Sequence, residues 1–172
     1  YRRFDVDREG VTAILDEETA AGRTTLVELK ALEVFRRYGF PIVPYALATT
    51  ADEAAAAATR LGLPVVLKIS GPKILHKTDV GGVRLNLTDE AAVRTAFHEM
   101  IASVQKKMGA DVEIWGVLVQ KMLPKGKETI LGMTRDPRMG PLLMFGLGGI
   151  YTEALKDVSF RLAPLRENMA LE

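Results

Sequence analysis

The chain contains no cysteine. That excludes disulfides, thiolate nucleophiles and cysteine-ligated metal centres, and it is compatible with a reducing cytosol, so a cytoplasmic protein is expected. Histidine is nearly as scarce, with His76 and His98 far apart. No metal-ligand constellation is visible, and no G-x-S-x-G elbow offers a serine nucleophile. Aromatic residues amount to 6%, too few for the interleaved aromatic and basic platforms that hold single-stranded nucleic acid. Neither sign of charge dominates: 23 Lys and Arg face 22 Asp and Glu, for a formal net charge of +1. Nucleic acid and anionic membrane are therefore not expected as partners. No apolar run approaches the ~18 residues that span a bilayer, and no signal peptide is visible. The first residue is Tyr1 rather than methionine, and the sequence reads as a piece of something longer.

The 172 residues, 48% hydrophobic and 26% charged, suffice for a sizeable core in one domain or two small subdomains. Residues 1–23 are charged with a short apolar pattern at Val11, Ile14 and Leu15, which predicts a short helix in a linker-like lead-in. In TTLVELKALEVFRRYGF, Thr25 and Glu28 stand at capping-box spacing. Leu29, Leu32 and Phe35 share a helix face and Gly39 supplies the stop. PIVPYALA, with Pro41 and Pro44, reads as an extended segment at a sheet edge. Thr50 and Glu53 form a second capping box before an alanine-rich helix that Gly62 ends. Strands are predicted over 64–70 and 81–87, followed by a helix with acids in its first turn and lysines in its last. Four further strands are predicted over 113–123, 127–136, 140–146 and 158–165, with a glycine turn and a helical turn inside 147–157. This order, α-β-α-β-β-α-β-β-β-β, predicts an α/β or α+β sandwich.

Lys68 sits near the end of the apolar strand VVLKIS. A buried ammonium is costly unless an anion or acid meets it. Either its stem lies on the sheet with the head in water, or the head contacts phosphate at a strand end, where α/β ligands tend to bind. His76, in KILHKTDVGGVRLNL, is either a surface or capping residue or a phosphoryl-accepting nucleophile. Lys73 and Lys77 beside it, and backbone amides at Gly81 and Gly82, would then meet the anion. His98, inside a long helix, reads as structural. VLVQKMLPKGKE (117–128) is either a plain hairpin around Pro-Lys-Gly or a hinge strand whose backbone meets a planar base, with Lys121 or Glu128 reaching ribose or base. RDPRMG (135–140) is a turn by composition. GLGGI (146–150) could cradle phosphate, although it matches neither G-x-G-x-x-G nor a P-loop. Arg135, Lys156 and Arg161 could each pair with an anion or with surface acids.

Together, YGFPIVPYALATTADEAAAAATRLGLPVVLKI, ILHKTDVGGVRLNL and GVLVQKMLPKGKETILGMTRDPRMGPLLMFGLGGIYTEALKDVSFRLAPL resemble the ATP-grasp domain of NDP-forming acyl-CoA synthetases, whose best-known members are the ADP-forming acetate–CoA ligases. The likeness runs from about Thr25 to Leu165 and is carried most specifically by LHKTDVGGV and MFGLGGI…LKDVSFR in combination. It implies an ATP-grasp fold with α+β subdomains over 24–112 and 113–172, incomplete at the C-terminus, and residues 1–23 as a linker from a preceding domain. It also implies an ATP or ADP site in the cleft between the subdomains. There Lys68 would contact the nucleotide phosphates. Gln120, Lys121, Met122 and Leu123 would form the hinge facing adenine, and Glu128 would lie near the ribose. Gly81 and Gly82 would form a flexible phosphate-side loop, with Gly146, Gly148 and Gly149 beside the transferred phosphate. His76 would pass a phosphoryl group between a phosphohistidine on CoA-ligase domains and the nucleotide.

Members of the family hold Mg²⁺ with carboxylates around an acidic-Ile-Asn-Pro phrase. Nothing in this sequence matches it, so Mg²⁺ is expected in the full-length enzyme with no ligand assigned here. The CoA-binding and ligase domains are expected on the same or a partner chain, and little or no turnover is expected from these residues alone. Two other readings stand beside this one. The sequence could be a non-catalytic, synthetase-like module fused to a protein N-acetyltransferase, or a small α/β domain with a ligand other than nucleotide. The acyl substrate, reaction direction and preference for ADP over GDP are not legible.

Overall fold

The computed structural model describes residues 4–149 and 158–171. They fall into two compact units, one within Val6–Leu123 and the other within Pro124–Glu172, the latter joined by Phe4 and Asp5.

The first unit contains helices α1 (Arg8–Ala20), α2 (Glu28–Arg37), α3 (Ala51–Leu61) and α4 (Glu90–Met108), and strands β1 (Tyr45–Ala48), β2 (Val65–Ser70), β3 (Val83–Leu87) and β4 (Gly116–Lys121). The strands form one antiparallel sheet in the order β1-β4-β2-β3. β1 takes an edge, in keeping with the prolines that precede it. Side chains alternate across a strand, so Val65, Leu67 and Ile69 of β2 and Val117 and Val119 of β4 point to one face, where all are fully buried. They pack with Ala54, Ala55 and Ala58 of α3 and with Val93, Met100 and Val104 of α4. The alanine run is thus the close-packing face of a helix, and each large aliphatic side chain buried here contributes about 1.5–3 kcal/mol. Val66, Lys68, Leu118 and Gln120 lie on the opposite face, with Lys68 in register with Leu118 of β4 and Val83 of β3.

Local signals place most helix ends. The Thr50 hydroxyl accepts from the Glu53 amide at 3.2 Å, while the Glu53 carboxylate reaches back to the amide and hydroxyl of Thr49. Asp89 caps α4 by accepting from the Ala92 amide at 2.8 Å. Past α2, Gly39 has φ +77. Its amide donates to Arg36 while that of Phe40 donates to Phe35, and the Phe35 and Phe40 rings meet edge-to-face at 5.3 Å. This is the Schellman ending with its hydrophobic contact.

The start of α2 departs from expectation. Thr25 does not cap it: the N-cap is Val27, which makes no side-chain capping bond, and Glu28 is the first helical residue. The Glu28 carboxylate is drawn away to lysines, as described below. Nor is the apolar face of α2 buried, since Phe35 is exposed and no residue of the helix is fully covered. In the lead-in helix α1, Val11 and Ile14 are buried while Leu15 is exposed. The helix is capped by Asp7, which accepts from the Gly10 amide.

The second unit holds β5 (Thr129–Asp136), β6 (Gly140–Leu147) and β7 (Val158–Leu162), antiparallel in that order, and a short helix α5 (Glu167–Leu171) that the sequence pattern did not indicate. The predicted RDPRMG turn is the β5–β6 hairpin, in which Asp136 accepts from the amides of Arg138 and Met139. The plain-hairpin reading of 117–128 fails. β4 pairs with β1 and β2, whereas β5 pairs with β6, so the Pro-Lys-Gly segment leads out of one sheet and into the other. The compact units divide after Leu123, because the hydrogen bonds of β4 tie it to the first sheet. Lys156 and most of the 147–157 segment lie outside the described residues.

Candidate functional site

The β2–β3 connection carries His76, and local bonds shape it. The amides of Gly81 and Gly82 donate to the carbonyls of Thr78 and Lys77, at 3.0 and 2.6 Å, and the Ile69 amide donates to the Gly82 carbonyl at 2.8 Å. The far side of the loop is held by α4: the Ser103 hydroxyl donates to the Val80 carbonyl at 3.0 Å, and Lys107 Nζ donates to the Asp79 carbonyl at 2.6 Å. Glycine is required at both positions. Gly81 has φ +73, and a Cβ there would stand 2.5 Å from Ser103 Oγ; a Cβ on Gly82 would stand 2.3 Å from Ile69 Cγ2. Both amides are spent closing the loop, and neither glycine lines the cleft described next.

Beside this loop is a cleft of about 410 Å³, lined by Glu28, Lys68, Leu75, His76, Lys77, Thr78, Asp79 and Val83. It sits on the sheet face opposite the main core, so three sequence-distant segments meet there: the start of α2, the middle of β2 and the β2–β3 loop. Lys68 Nζ donates to Glu28 Oε1 at 2.5 Å, and Lys77 Nζ donates to Glu28 Oε2. The side chains of Lys68, Lys77 and Glu28 are 28%, 17% and 26% exposed, which makes this a half-buried cation–carboxylate–cation bridge. Partial burial alone would push the Glu28 carboxyl up, but hydrogen bonds from Lys68 and Lys77 and their positive charges outweigh it and hold the group below the usual carboxylate range. His76 is exposed at the cleft rim.

Glu28 is the cleft residue that sequence reasoning did not assign. The demand for it was legible, because a lysine in an apolar strand needs an acid or anion. Its identity was not, since Glu28 lies 40 residues before Lys68 and its spacing from Thr25 offered a sufficient local explanation. Lys77, noted only as a positive neighbour of His76, is its second partner.

The remaining predicted residues fall elsewhere. Gln120 is buried at the end of β4, in register with Tyr45 and Val66. The amides of Lys121 and Met122 are taken by the carbonyls of Pro44 and Pro64, at 3.1 and 3.0 Å, while Leu123 is exposed. In the second unit, Glu128 is brought against the glycine cluster. Its carbonyl accepts from the Gly148 amide at 2.8 Å, and a Cβ on Gly149 would lie 2.8 Å from Glu128 Oε2. Gly146 is buried within β6, between Ile130 and Val158. Arg161 donates to the Phe160 carbonyl. A hollow at the β5–β6 turn is lined by Asp136 to Met139 alone, so no second element brings chemistry to it. His98 is exposed on α4 and makes an edge-on ring contact with its neighbour Phe97.

Among the described residues, no three His, Asp or Glu side chains come together as a metal set. Also among the described residues, no helix is long and apolar enough to cross a membrane.

Comparison with known proteins gives a consistent result. Residues 17–172 match the family model described as an ATP-grasp domain. The chain is 42% identical to acetate–CoA ligase (ADP-forming) I subunit beta of Pyrococcus furiosus, over 97% of this chain and 72% of that subunit. It is 46% identical to acetate–CoA ligase (ADP-forming) I of Archaeoglobus fulgidus over 97% of its own length, but spans only 24% of that longer protein. The fold superposes with a TM-score of 0.87 on the Ca. Korarchaeum cryptofilum dinucleotide forming acetyl-coenzyme A synthetase 1 in complex with coenzyme A, Ca-AMPCP and HgCl+. That match has 44% identity and covers 92% of this chain and 69% of the other.

Proposed function

This chain belongs to the ATP-grasp family, and we propose that it supplies the nucleotide-binding portion of an acyl-CoA synthetase that interconverts acyl-CoA, ADP and phosphate with acid, CoA and ATP. One observation carries the reading: the ammonium groups of Lys68 and Lys77 and the imidazole of His76 line a single cleft. Phosphoryl transfer asks little covalent chemistry of a protein beyond alignment and neutralisation of phosphate charge. The two lysines supply charge, and the imidazole supplies a nucleophile.

In this scheme a ring nitrogen of His76 attacks the phosphorus of a phosphohistidine delivered by the CoA-ligase domains. The new N–P bond forms as the donor's N–P bond breaks. A terminal phosphate oxygen of ADP then attacks the same phosphorus, breaking the bond to His76 and giving ATP. Lys68 and Lys77 hold phosphate oxygens through both transfers. On the strength of the resemblance, Gln120, Lys121, Met122 and Leu123 receive the adenine, Glu128 approaches the ribose, and Gly146, Gly148 and Gly149 flank the transferred phosphate. Gly81 and Gly82 shape the loop that presents His76 and form its phosphate side. The CoA-binding and ligase domains, on the same or a partner chain, complete the enzyme, and the reaction runs in the cytoplasm. The relatives named above are ligases, whereas no observation favours a regulatory module of an acetyltransferase.

The test is His76→Ala in the complete enzyme, with acyl-CoA-dependent ATP formation as the readout. The expected loss is at least about 10³-fold, since a covalent relay has no substitute. ATP formation at the wild-type rate would remove His76 from the mechanism.

A further inference from the structure

We propose that Glu28 is a positioning residue for phosphoryl transfer, holding the Lys68 and Lys77 ammonium groups side by side at the floor of the cleft so that both meet the same phosphate. The inference deepens the function proposed above and rests on it.

Three observations support it. First, the two oxygens of one carboxylate are divided between two lysines from different segments, Lys68 on β2 and Lys77 on the β2–β3 loop. A residue that only tethered α2 to the sheet would need one of these bonds. Second, Glu28 occupies the first turn of α2, where a carboxylate ordinarily favours the helix by reaching back to the N-cap amide or by facing the dipole. Here the N-cap goes without a side-chain bond and the carboxylate turns into the cleft. Third, all three side chains are only 17–28% exposed. Two ammonium groups this covered repel each other and are poorly hydrated, so without an anion between them they would separate toward water. Glu28 removes that penalty before any phosphate arrives. An ammonium also has more donors than one carboxylate oxygen uses, which leaves each lysine able to bind phosphate while still bonded to Glu28. His76 and Asp79 are the other titratable groups lining the cleft.

The test compares Glu28→Gln, Lys77→Met and the double variant in the complete enzyme. The readouts are kcat/KM for ADP and the unfolding midpoint. E28Q keeps the shape and removes the charge. Its kcat/KM for ADP should fall about 10²-fold, the scale of a misplaced binding group, with the unfolding midpoint lowered by the unpaired lysines but still well above the assay temperature. Because Glu28 acts through the lysines, E28Q should cost much less in the K77M background than in wild type. Wild-type kcat/KM in E28Q, or equal losses in both backgrounds, would overturn the proposal. If E28Q fails to fold, Glu28→Asp carries the test, since its shorter reach cannot span both lysines. E28D should lose at least tenfold, and unchanged kinetics in E28D would equally end the idea. The two proposals fail separately: full activity in His76→Ala with a collapse in E28Q sinks the relay and leaves the lysine pairing standing, and the reverse pattern sinks only the role of Glu28.

Discussion

The Gly82 amide donates to the Lys77 carbonyl at 2.6 Å, helping to close the loop on which Lys77 and His76 are presented to the cleft. A Cβ at residue 82 would meet Ile69 Cγ2 at 2.3 Å and the Lys77 carbonyl oxygen at 3.0 Å. Ile69 is fully buried in the core and cannot yield cheaply. Gly82→Ala should therefore destabilise the first unit by about 1–3 kcal/mol, the usual range for overpacking. It should also lower ATP formation by shifting the loop. Urea unfolding and the coupled assay read the two effects separately, and an alanine variant with unchanged stability would show that the close approach is not rigid.

Lys68 gives a sharper test of nucleotide binding. Lys68→Met keeps the stem on the sheet and removes the ammonium, leaving Glu28 still bonded to Lys77. Affinity for ADP should fall at least about tenfold, or ~1.4 kcal/mol, in calorimetry on the complete enzyme. Undiminished affinity would show that the cleft does not hold the phosphates.

Acid sensitivity should be traceable to Glu33. Hydrogen bonds from Arg36, with the positive charges of Arg36 and Arg37, outweigh the opposing effect of burial and lower its carboxyl from 4.5 to about 2. A group with its pKa lowered by folding stabilises the native state above its unfolded pKa and loses that contribution as pH falls through the folded one. Glu33→Gln should therefore be less stable than wild type at pH 7, and the gap should close as pH drops from about 4.5 toward 2. Denaturant melts across that window check the sign, and a gap that widens toward acid would contradict it.

The two threonines assigned to capping boxes should separate cleanly. Thr50→Ala removes an observed cap on α3 and should cost about 1 kcal/mol. Thr25→Ala removes no cap, since Val27 holds that position on α2, and should stay within about 0.5 kcal/mol of wild type. Equal costs would mean that the start of α2 differs from the one described.

Much of the fold was readable because its causes are local. The Gly39 and Gly62 helix stops, the Asp89 start, the edge placement of PIVPYALA and the period-two burial of VVLKIS each follow from a few neighbouring residues. The candidate site was readable in part for the same reason: Lys68 announced an unmet charge, and the loop of His76 announced itself by composition. The errors came where a local explanation competed with a distant partner. Thr25 and Glu28 have capping-box spacing, yet an exposed cap bond is worth less than a carboxylate shared by two half-buried ammoniums. The Pro-Lys-Gly turn suits a hairpin, yet β4 is claimed on both sides by β1 and β2.

By itself, then, the sequence determined most of the helices and strands, the lack of any cysteine chemistry, and that one lysine required an anion. Only the tertiary structure decided that the anion is Glu28, that Lys77 shares it, and that the Gly81 and Gly82 amides are consumed within their loop. Turn and cap preferences act over a few residues of chain, whereas charge pairing acts through space, and space is known only once the sheet has brought α2, β2 and the His76 loop together.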